Sequence, residues 1–461
     1  MILNDNFYWG NSTSSMQTEG AWDKDGKGKS VYDVRKATKN TSDWKVATDS
    51  YHRYEEDFDY MEDLGMNMYR FQISWSRVNP KGDGEFNEKG IEFYDQFIDE
   101  LIDRGIEPMI CLYHFDMPLH LAEEYDGFSS RHVVDAFVRY GKEMIQRFGH
   151  KVKHWITFNE QNLYHQYPNG FTFAGSEVEG KTLEESYQLQ HHVMMAHAQI
   201  ANYIHEETDC QISGMLAYHE IYPNSPDPKD IQLAREADEF LNNNLLEVFV
   251  HGRYLDSFWQ FVERNQIDIG LKEGDLEIIS KVRSDYLSFS YYQSVVIDHR
   301  KVAKAASPNE YMNTGIVDNP YLDRTEWNWQ IDPLGFRNIL NKIYARYHLP
   351  VFPIENGIGV IEEWDGQNPI QDDYRIEYLK NHLKALQDAV QYDGVEVMGY
   401  LGWSLTTDIL SSQGDMRKRY GVVYVNRENH DLKDLKRIPK KSYDWLKKVI
   451  QSNGELLEKN K

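Results

Sequence analysis

Two glutamates carry the clearest chemical suggestion in this chain: Glu160 in HWITFNEQN and Glu355 in VFPIENGIG, each just after a short apolar, β-branched or aromatic run. Cleaving a bond between sugars needs one carboxylic acid to protonate the departing oxygen and a second carboxylate to attack or stabilise the cationic ring. Two identical side chains must therefore hold different protonation states. The pair is widely separated along the chain, so only a fold that gathers the ends of distant strands can bring them together. A closed parallel barrel does so, because all its strands end on one face.

The elements needed for such a barrel can be read along the chain. Strand-like runs fall at Phe7 to Gly10, Met68 to Ser74, Pro108 to Tyr113, Trp155 to Phe158, Ile212 to Ala217, Tyr286 to Tyr291, Val351 to Ile354 and Val397 to Trp403. Helical periodicity separates them, most clearly after Ser130, an N-capping residue type, where Val133, Val134, Phe137, Val138, Gly141, Met144, Ile145 and Phe148 share one stripe ending near Gly149. Similar patterns run from Asp43 to Leu64, Lys89 to Arg104, Thr182 to His205, Lys229 to Asn265, Leu334 to Tyr347, Asp373 to Tyr392 and Lys441 to Ile450. Strand and helix alternation predicts an α/β fold, a single (β/α)8 TIM barrel with long βα loops. No linker-like or low-complexity tract interrupts it, so one catalytic domain over residues 1–461 is the simplest partition. The longest irregular stretch, Asp298 to Trp327, follows a predicted strand and so belongs on the face where barrels build their sites. The polar residues after Ser452 read as a frayed end.

Composition narrows the class. The chain is 41% hydrophobic and 13% aromatic, enough for a large core, and carries a formal net charge of -24. That charge argues against nucleic acid or an anionic membrane as partner. No run is apolar for the ~18 residues a membrane span requires, and no secretory leader opens the chain, so a cytoplasmic location is expected. Cys111 and Cys210 are too few for a disulfide framework and read as reduced core thiols.

Successive segments then resemble glycoside hydrolase family 1: FYWGNSTSSMQTEG, YRFQISWSR, YHFDMP, TFNE, FSYY, PIENG and WSLTTD, in order along the whole chain. The resemblance implies a retaining β-glycosidase that needs no metal or other cofactor, with Glu160 as general acid and then general base and Glu355 as nucleophile. In such a mechanism the carboxyl groups stand about 5 Å apart. An ionised Glu355 at that range is expected to raise the pKa of Glu160 and keep it protonated until the nucleophile is esterified.

The resemblance also assigns the supporting residues. Arg70 would hold the nucleophile ionised, with Tyr292 near it. Gln17, His114, Asn159 and Trp403 match the family's ligands for the sugar, and Trp327 and Trp329 match positions near the aglycone. Gln and His can both donate to and accept from hydroxyls, Asn159 beside the acid can reach the hydroxyl at carbon 2, and a Trp offers a flat apolar floor. A metal site at His114, Asp116 and His120 is a weaker reading, since Pro118 lies within that loop, and His191, His192 and His197 read as helix residues.

One departure bears on the substrate. Ordinary members carry a Glu-Trp pair after the eighth-strand tryptophan, the glutamate binding hydroxyls at carbons 4 and 6; this chain reads WSLTTDILSSQGDMRKRYGVVYVN. Losing that charge suits a phosphate on carbon 6, and Ser412, Lys418 and Tyr420 resemble the Ser…Lys-x-Tyr phosphate site of 6-phospho-β-glycosidases. Ser290 in FSYY, where hydroxyl-specific relatives usually have Asn, points the same way. Arg417 and Arg419 read as a solvated basic turn around Lys418. No tryptophan stands between Trp403 and the end of the loop, which favours gluco over galacto substrates. The expected partner is thus a phosphorylated β-glucoside, with free β-glucosides, a 6-phospho-β-galactoside or a non-catalytic sugar-binding role as alternatives; family enzymes are often dimers, which leaves a homodimer open.

Overall fold

The computed structural model describes residues 3–164, 171–177, 181–304 and 306–457. Eight parallel strands form the centre: β1 Tyr8–Ser12, β2 Met68–Gln72, β3 Glu107–Tyr113, β4 His154–Phe158, β5 in two segments Gln211–Ser213 and Met215–Ala217, β6 Leu287–Ser290, β7 Val351–Glu355 and β8 Gly399–Trp403. All eight expected strands are present, within a residue or two of the expected ends.

Register closes the ring. β8 pairs with β1 (Tyr8 opposite Gly399, Ser12 opposite Trp403), and the ladder continues through β2, β3 and β4 to the first segment of β5. The second segment of β5 pairs instead with β6, and β6 with β7. Gly214 is therefore the hinge at which β5 changes partners. The last gap is joined where Val351 donates to the Glu396 carbonyl and accepts from the Met398 amide.

Because alternate side chains of a strand point to opposite faces, one set fills the barrel and the other packs under the helices. Met68, Met109, Cys111, Ile156, Met215, Tyr286, Phe352, Ile354 and Leu401 form a separate, fully buried cluster. A second apolar cluster runs from Leu3 to Leu457 between strands and helices. The helix Arg131–Phe148 starts as expected, with the Ser130 side chain accepting from the His132 amide, and buries the predicted stripe.

Three expectations differ. The helix expected from Asp43 begins only at Ser50, because Ala47 and Asp49 take left-handed φ values of 49° and 57°. The pattern from Lys229 to Asn265 breaks into Pro228–Asp238, a π-helical turn Glu239–Asn243, Asn244–His251 and Asp256–Arg264, with Gly252 left-handed at the third break. The end of the chain is not frayed through 457: Asn453 accepts from the Trp9 indole at 2.9 Å, and Leu457 is buried; residues 458–461 lie outside the described residues. The Asp298–Trp327 stretch contains the short helix Tyr311–Thr314 and a two-residue strand pair with the segment after β6.

Candidate active site

The C-terminal ends of the strands surround a cavity of about 420 Å³, lined among others by Gln17, His114, Glu160, Ser290, Tyr292, Trp329, Glu355, Trp403, Ser412, Lys418 and Tyr420. Eleven of the residues singled out in the sequence thus share one space. Arg70 and Asn159 stand behind its wall, both buried.

Glu355 ends β7, and its carboxylate is held from both oxygens. Arg70 Nη1 donates to Oε1 at 2.6 Å and the Tyr292 hydroxyl donates to Oε2 at 2.9 Å. Arg70 projects inward from β2 and is itself fixed: Nη1 also reaches Ser12 Oγ at 3.1 Å, and Nη2 donates to Asn159 Oδ1 at 2.7 Å. Among the described residues Asn159 has no partner for its Nδ2, which leaves that donor for another acceptor. Behind Glu355, Asn356 donates to the Tyr291 carbonyl at 2.6 Å and accepts from Tyr400 at 2.8 Å, while Trp403 N donates to the Asn356 carbonyl at 2.8 Å. One side chain thereby ties the ends of β6, β7 and β8 together.

Glu160 follows β4 in a left-handed conformation, φ 43°, at a cost of about 1–3 kcal/mol for a non-glycine residue. Its Oε1 accepts from Ser290 Oγ at 2.5 Å. Ser290 is thus engaged with Glu160.

Burial is the main influence on both carboxyls. It pushes Glu355 up to about 8, against the pull of Arg70, with the charge of Glu160 adding to the rise and Tyr292 opposing it. It also raises Glu160, against Ser290 and Arg70. From sequence the rise in Glu160 is expected to come from repulsion by Glu355; desolvation leads instead, and the repulsion is felt at Glu355. The hydrogen bonds decide which group keeps a shared proton. Glu355 accepts from a guanidinium and a phenol, both of which favour its anion, whereas Glu160 meets only a hydroxyl that can donate or accept. The proton belongs on Glu160.

The remaining predicted ligands differ in freedom. Gln17 Nε2 donates to the Leu410 carbonyl at 2.7 Å and its Oε1 accepts from Ser14 at 2.7 Å, leaving one hydrogen and one lone pair. His114 packs 5.4 Å from the Trp403 ring, and its Nδ1 has no partner among the described residues. Burial, with Arg70 adding to it, holds its pKa well below the usual value, so it is a neutral donor and acceptor. His114, Asp116 and His120 do not gather: Asp116 accepts from Ser15 at 3.2 Å and also from Gln72, and His120 faces Asp83 at 3.6 Å.

Ser412, Lys418 and Tyr420 line the same cavity. The Lys418 ammonium lies 3.7 Å from the Trp329 ring centre, 4.9 Å from Trp327 and 5.6 Å from Tyr420. Burial pushes its pKa down to about 7, with only Asp415 opposing. The neighbouring arginines face elsewhere. Arg417 pairs with Asp415 at 2.7 Å on the surface, as expected. Arg419 is not solvated: it is 2% exposed, and donates to the carbonyls of Val425 and Arg427 at 2.8 and 2.6 Å.

Two positioning features were not foreseen. The segment Val360–Ile361 after the nucleophile pairs antiparallel with Lys418–Arg419, so the loop of β7 carries the loop of β8. Gly359 makes this fit, since a Cβ there would lie 2.8 Å from Lys418 Cγ and Cε and 2.9 Å from Tyr420 Cζ. The wall opposite, with His219, Gln293, Met312 and Asn313, was also missed. His219 and Gln293 each stand two or three residues past a barrel strand, a position that could have flagged them.

The model of glycosyl hydrolase family 1 matches residues 2–455. Among similar proteins, an aryl-phospho-beta-D-glucosidase, BglC, of Bacillus subtilis (strain 168) is 39% identical over 471 residues, covering 98% of each chain. A 6-phospho-beta-glucosidase of Clostridium longisporum is 37% identical over 472 residues, again 98% of each. Among solved structures, a beta-glucosidase from Thermotoga maritima in complex with glucoimidazole superposes with a TM-score of 0.86 at 31% identity, over 98% of this chain and 99% of that one. A barrel with two glutamates at the ends of β4 and β7, matched to the family model over nearly its whole length, leaves one assignment: the chain belongs to glycosyl hydrolase family 1.

Proposed function

We propose that this enzyme hydrolyses 6-phospho-β-D-glucosides with retention, releasing glucose 6-phosphate and an aglycone or glucose. The observation that carries the reading is the charge of the cavity wall. Among the described residues lining it, Glu160 and Glu355 are the only carboxylates and Lys418 the only lysine or arginine. A cation without an acidic partner, beside Ser412 and Tyr420, is complementary to a phosphate dianion. The two named phospho-glucosidase relatives agree with it.

The geometry supports a two-step reaction. Glu355, kept anionic by Arg70 and Tyr292, attacks the anomeric carbon while Glu160 gives its proton to the departing oxygen. The bond to the aglycone breaks as the bond to Glu355 Oε forms. Esterification removes the anion beside Glu160, which then takes a proton from water as that water attacks the anomeric carbon and releases Glu355. Acid and base assistance of this kind is typically worth about 10²–10⁴ in rate. Asn159, Gln17, His114 and Trp403 serve the sugar, and Ser412, Lys418 and Tyr420 its phosphate. No tryptophan of the β8 loop enters the cavity, which favours the gluco over the galacto configuration.

A sugar phosphate does not cross a bilayer unaided, so we place the reaction in the cytoplasm, where sugars are phosphorylated; no helix among the described residues is long and apolar enough to cross a membrane. The test compares nitrophenyl β-glucoside with its 6-phosphate at equal concentration. A large preference in kcat/KM for the phosphorylated compound is expected, and a preference for the free sugar would refute the reading.

A further inference from the structure

Among the described residues lining the cavity, Lys418 is the one lysine or arginine, and its placement raises a question of what holds it there. Its neighbours in sequence answer to acids: Arg417 to Asp415 at 2.7 Å, Arg419 to Asp408 at 3.5 Å. Among the described residues no carboxylate comes within ion-pair range of Lys418. Instead its ammonium stands over the face of Trp329 at 3.7 Å, with Trp327 and Tyr420 farther off. An indole face attracts a cation through its quadrupole yet cannot neutralise it. The same indole packs against Tyr292 with ring centres 5.4 Å apart.

We propose that Trp329 is a positioning residue for phosphate recognition, its indole holding the Lys418 ammonium in the cavity without a counter-ion, so that the substrate phosphate is the first anion the lysine meets. This rests on the phosphorylated substrate proposed above, and it gives Trp329 a duty distinct from an aglycone wall.

Burial away from water makes the ammonium lose its proton more readily and pushes Lys418 down to about 7, against the attraction of the indole face. The surrounding charges do little to counter this. Asp415 is engaged by Arg417 on the same loop. On the paired segment after β7, Glu362 is bound by Arg375 and Lys440. From the loop before β7, Glu326 accepts from the Ile361 amide at 2.7 Å. Across the cavity, Glu355 is held by Arg70 and Tyr292. A phosphate entering above neutral pH therefore binds together with a proton taken up on the lysine nitrogen.

The experiment uses the whole enzyme and two competitive inhibitors that lack an aglycone, glucose 6-phosphate and glucose, against an aryl 6-phospho-β-glucoside. In wild type, glucose 6-phosphate should inhibit far more strongly. Trp329→Ala should weaken glucose 6-phosphate about tenfold relative to glucose, and Trp329→Phe should restore most of the ratio, since a smaller aromatic face keeps the attraction. Equal weakening of both inhibitors, or no change in the ratio, overturns the proposal and leaves the phosphorylated substrate standing. If wild type itself does not prefer glucose 6-phosphate, the substrate reading falls and the proposal with it. A second measurement is independent of folding in the Trp329 variants. Between about pH 7 and about pH 9, where the phosphate stays a dianion, the Ki of glucose 6-phosphate for wild type should rise several-fold while that of glucose does not. Lys418→Arg, which keeps its proton throughout, should flatten that rise, and a flat wild-type profile counts against the proposal.

Discussion

Arg70 Nη1 lies 2.6 Å from Glu355 Oε1, joining an inward side chain of β2 to the end of β7 across the barrel. The guanidinium is wholly buried, and its other contacts, to Ser12 and Asn159, leave it no second position. An orientation this constrained places the nucleophile and discourages its protonation at the same time.

Arg70→Lys tests that joint role. A lysine keeps the charge but cannot reach Ser12, Asn159 and Glu355 together. Misplacing the nucleophile should lower kcat about 10²-fold, with KM for the phosphorylated substrate changed far less. Steady-state kinetics on the aryl 6-phospho-β-glucoside decide it, and a kcat within a few-fold of wild type would contradict the assignment.

Ser290→Ala addresses the acid. Ser290 donates to Glu160 at 2.5 Å and pulls its pKa down against the upward push of burial. Without that donor the Glu160 proton is held more tightly, so the alkaline limb of the kcat/KM profile should move to higher pH. A limb that stays in place or moves down would show that another group sets it.

Glu160→Gln removes a titration from the folded state. Burial holds the Glu160 carboxyl above its ordinary 4.5, so the folded protein retains there a proton that the unfolded chain releases. The stabilisation is complete below the ordinary value and is lost as pH rises through the raised one, at up to about 1.4 kcal/mol per pH unit. The fall in Tm across that window should be shallower in the Gln variant than in wild type. Calorimetry at several pH values checks the slope.

Gly359→Ala separates phosphate recognition from catalysis. The added methyl meets Lys418 and Tyr420 inside 3.0 Å, while the nucleophile lies four residues earlier and keeps its own supports. We expect about a tenfold higher KM for the phosphorylated substrate, an effect of the size of one lost charge-assisted contact, with kcat within a few-fold. Unchanged KM would mean that the two side chains can yield.

Arg417 and Arg419 should behave oppositely. Arg417→Ala removes an exposed pair and should cost less than about 1 kcal/mol. Arg419→Ala strips donors from two buried carbonyls and leaves Asp408 with one cation fewer, so it should destabilise by about 3–5 kcal/mol. Thermal unfolding of both variants makes the comparison.

Much of the architecture could be read before any coordinates. Strand positions were legible because each barrel strand is buried on both faces and so appears as a short apolar run, as in MYRFQ and VFPIE. Boundaries failed where backbone conformation outweighed side-chain pattern: at Ala47 and Asp49, and at the π-helical turn near Asn242; that β5 serves two neighbours on either side of Gly214 left no mark in the pattern. The tail looked frayed because polarity alone cannot reveal that Asn453 has the Trp9 indole to bind.

The site divides along the same line. Residue type and order along the chain were enough to single out Glu160 and Glu355, and the resemblance of ordered motifs brought in Arg70 and the Ser412, Lys418, Tyr420 set; the fold gathers all of them at or behind one cavity. Which proton sits where, why Lys418 has no acid beside it, and why position 359 must be glycine depend on burial and on contacts between segments far apart in sequence. A linear pattern records what a side chain can do; its desolvation and its partners exist only once β7 and β8 are closed against β1 and β6.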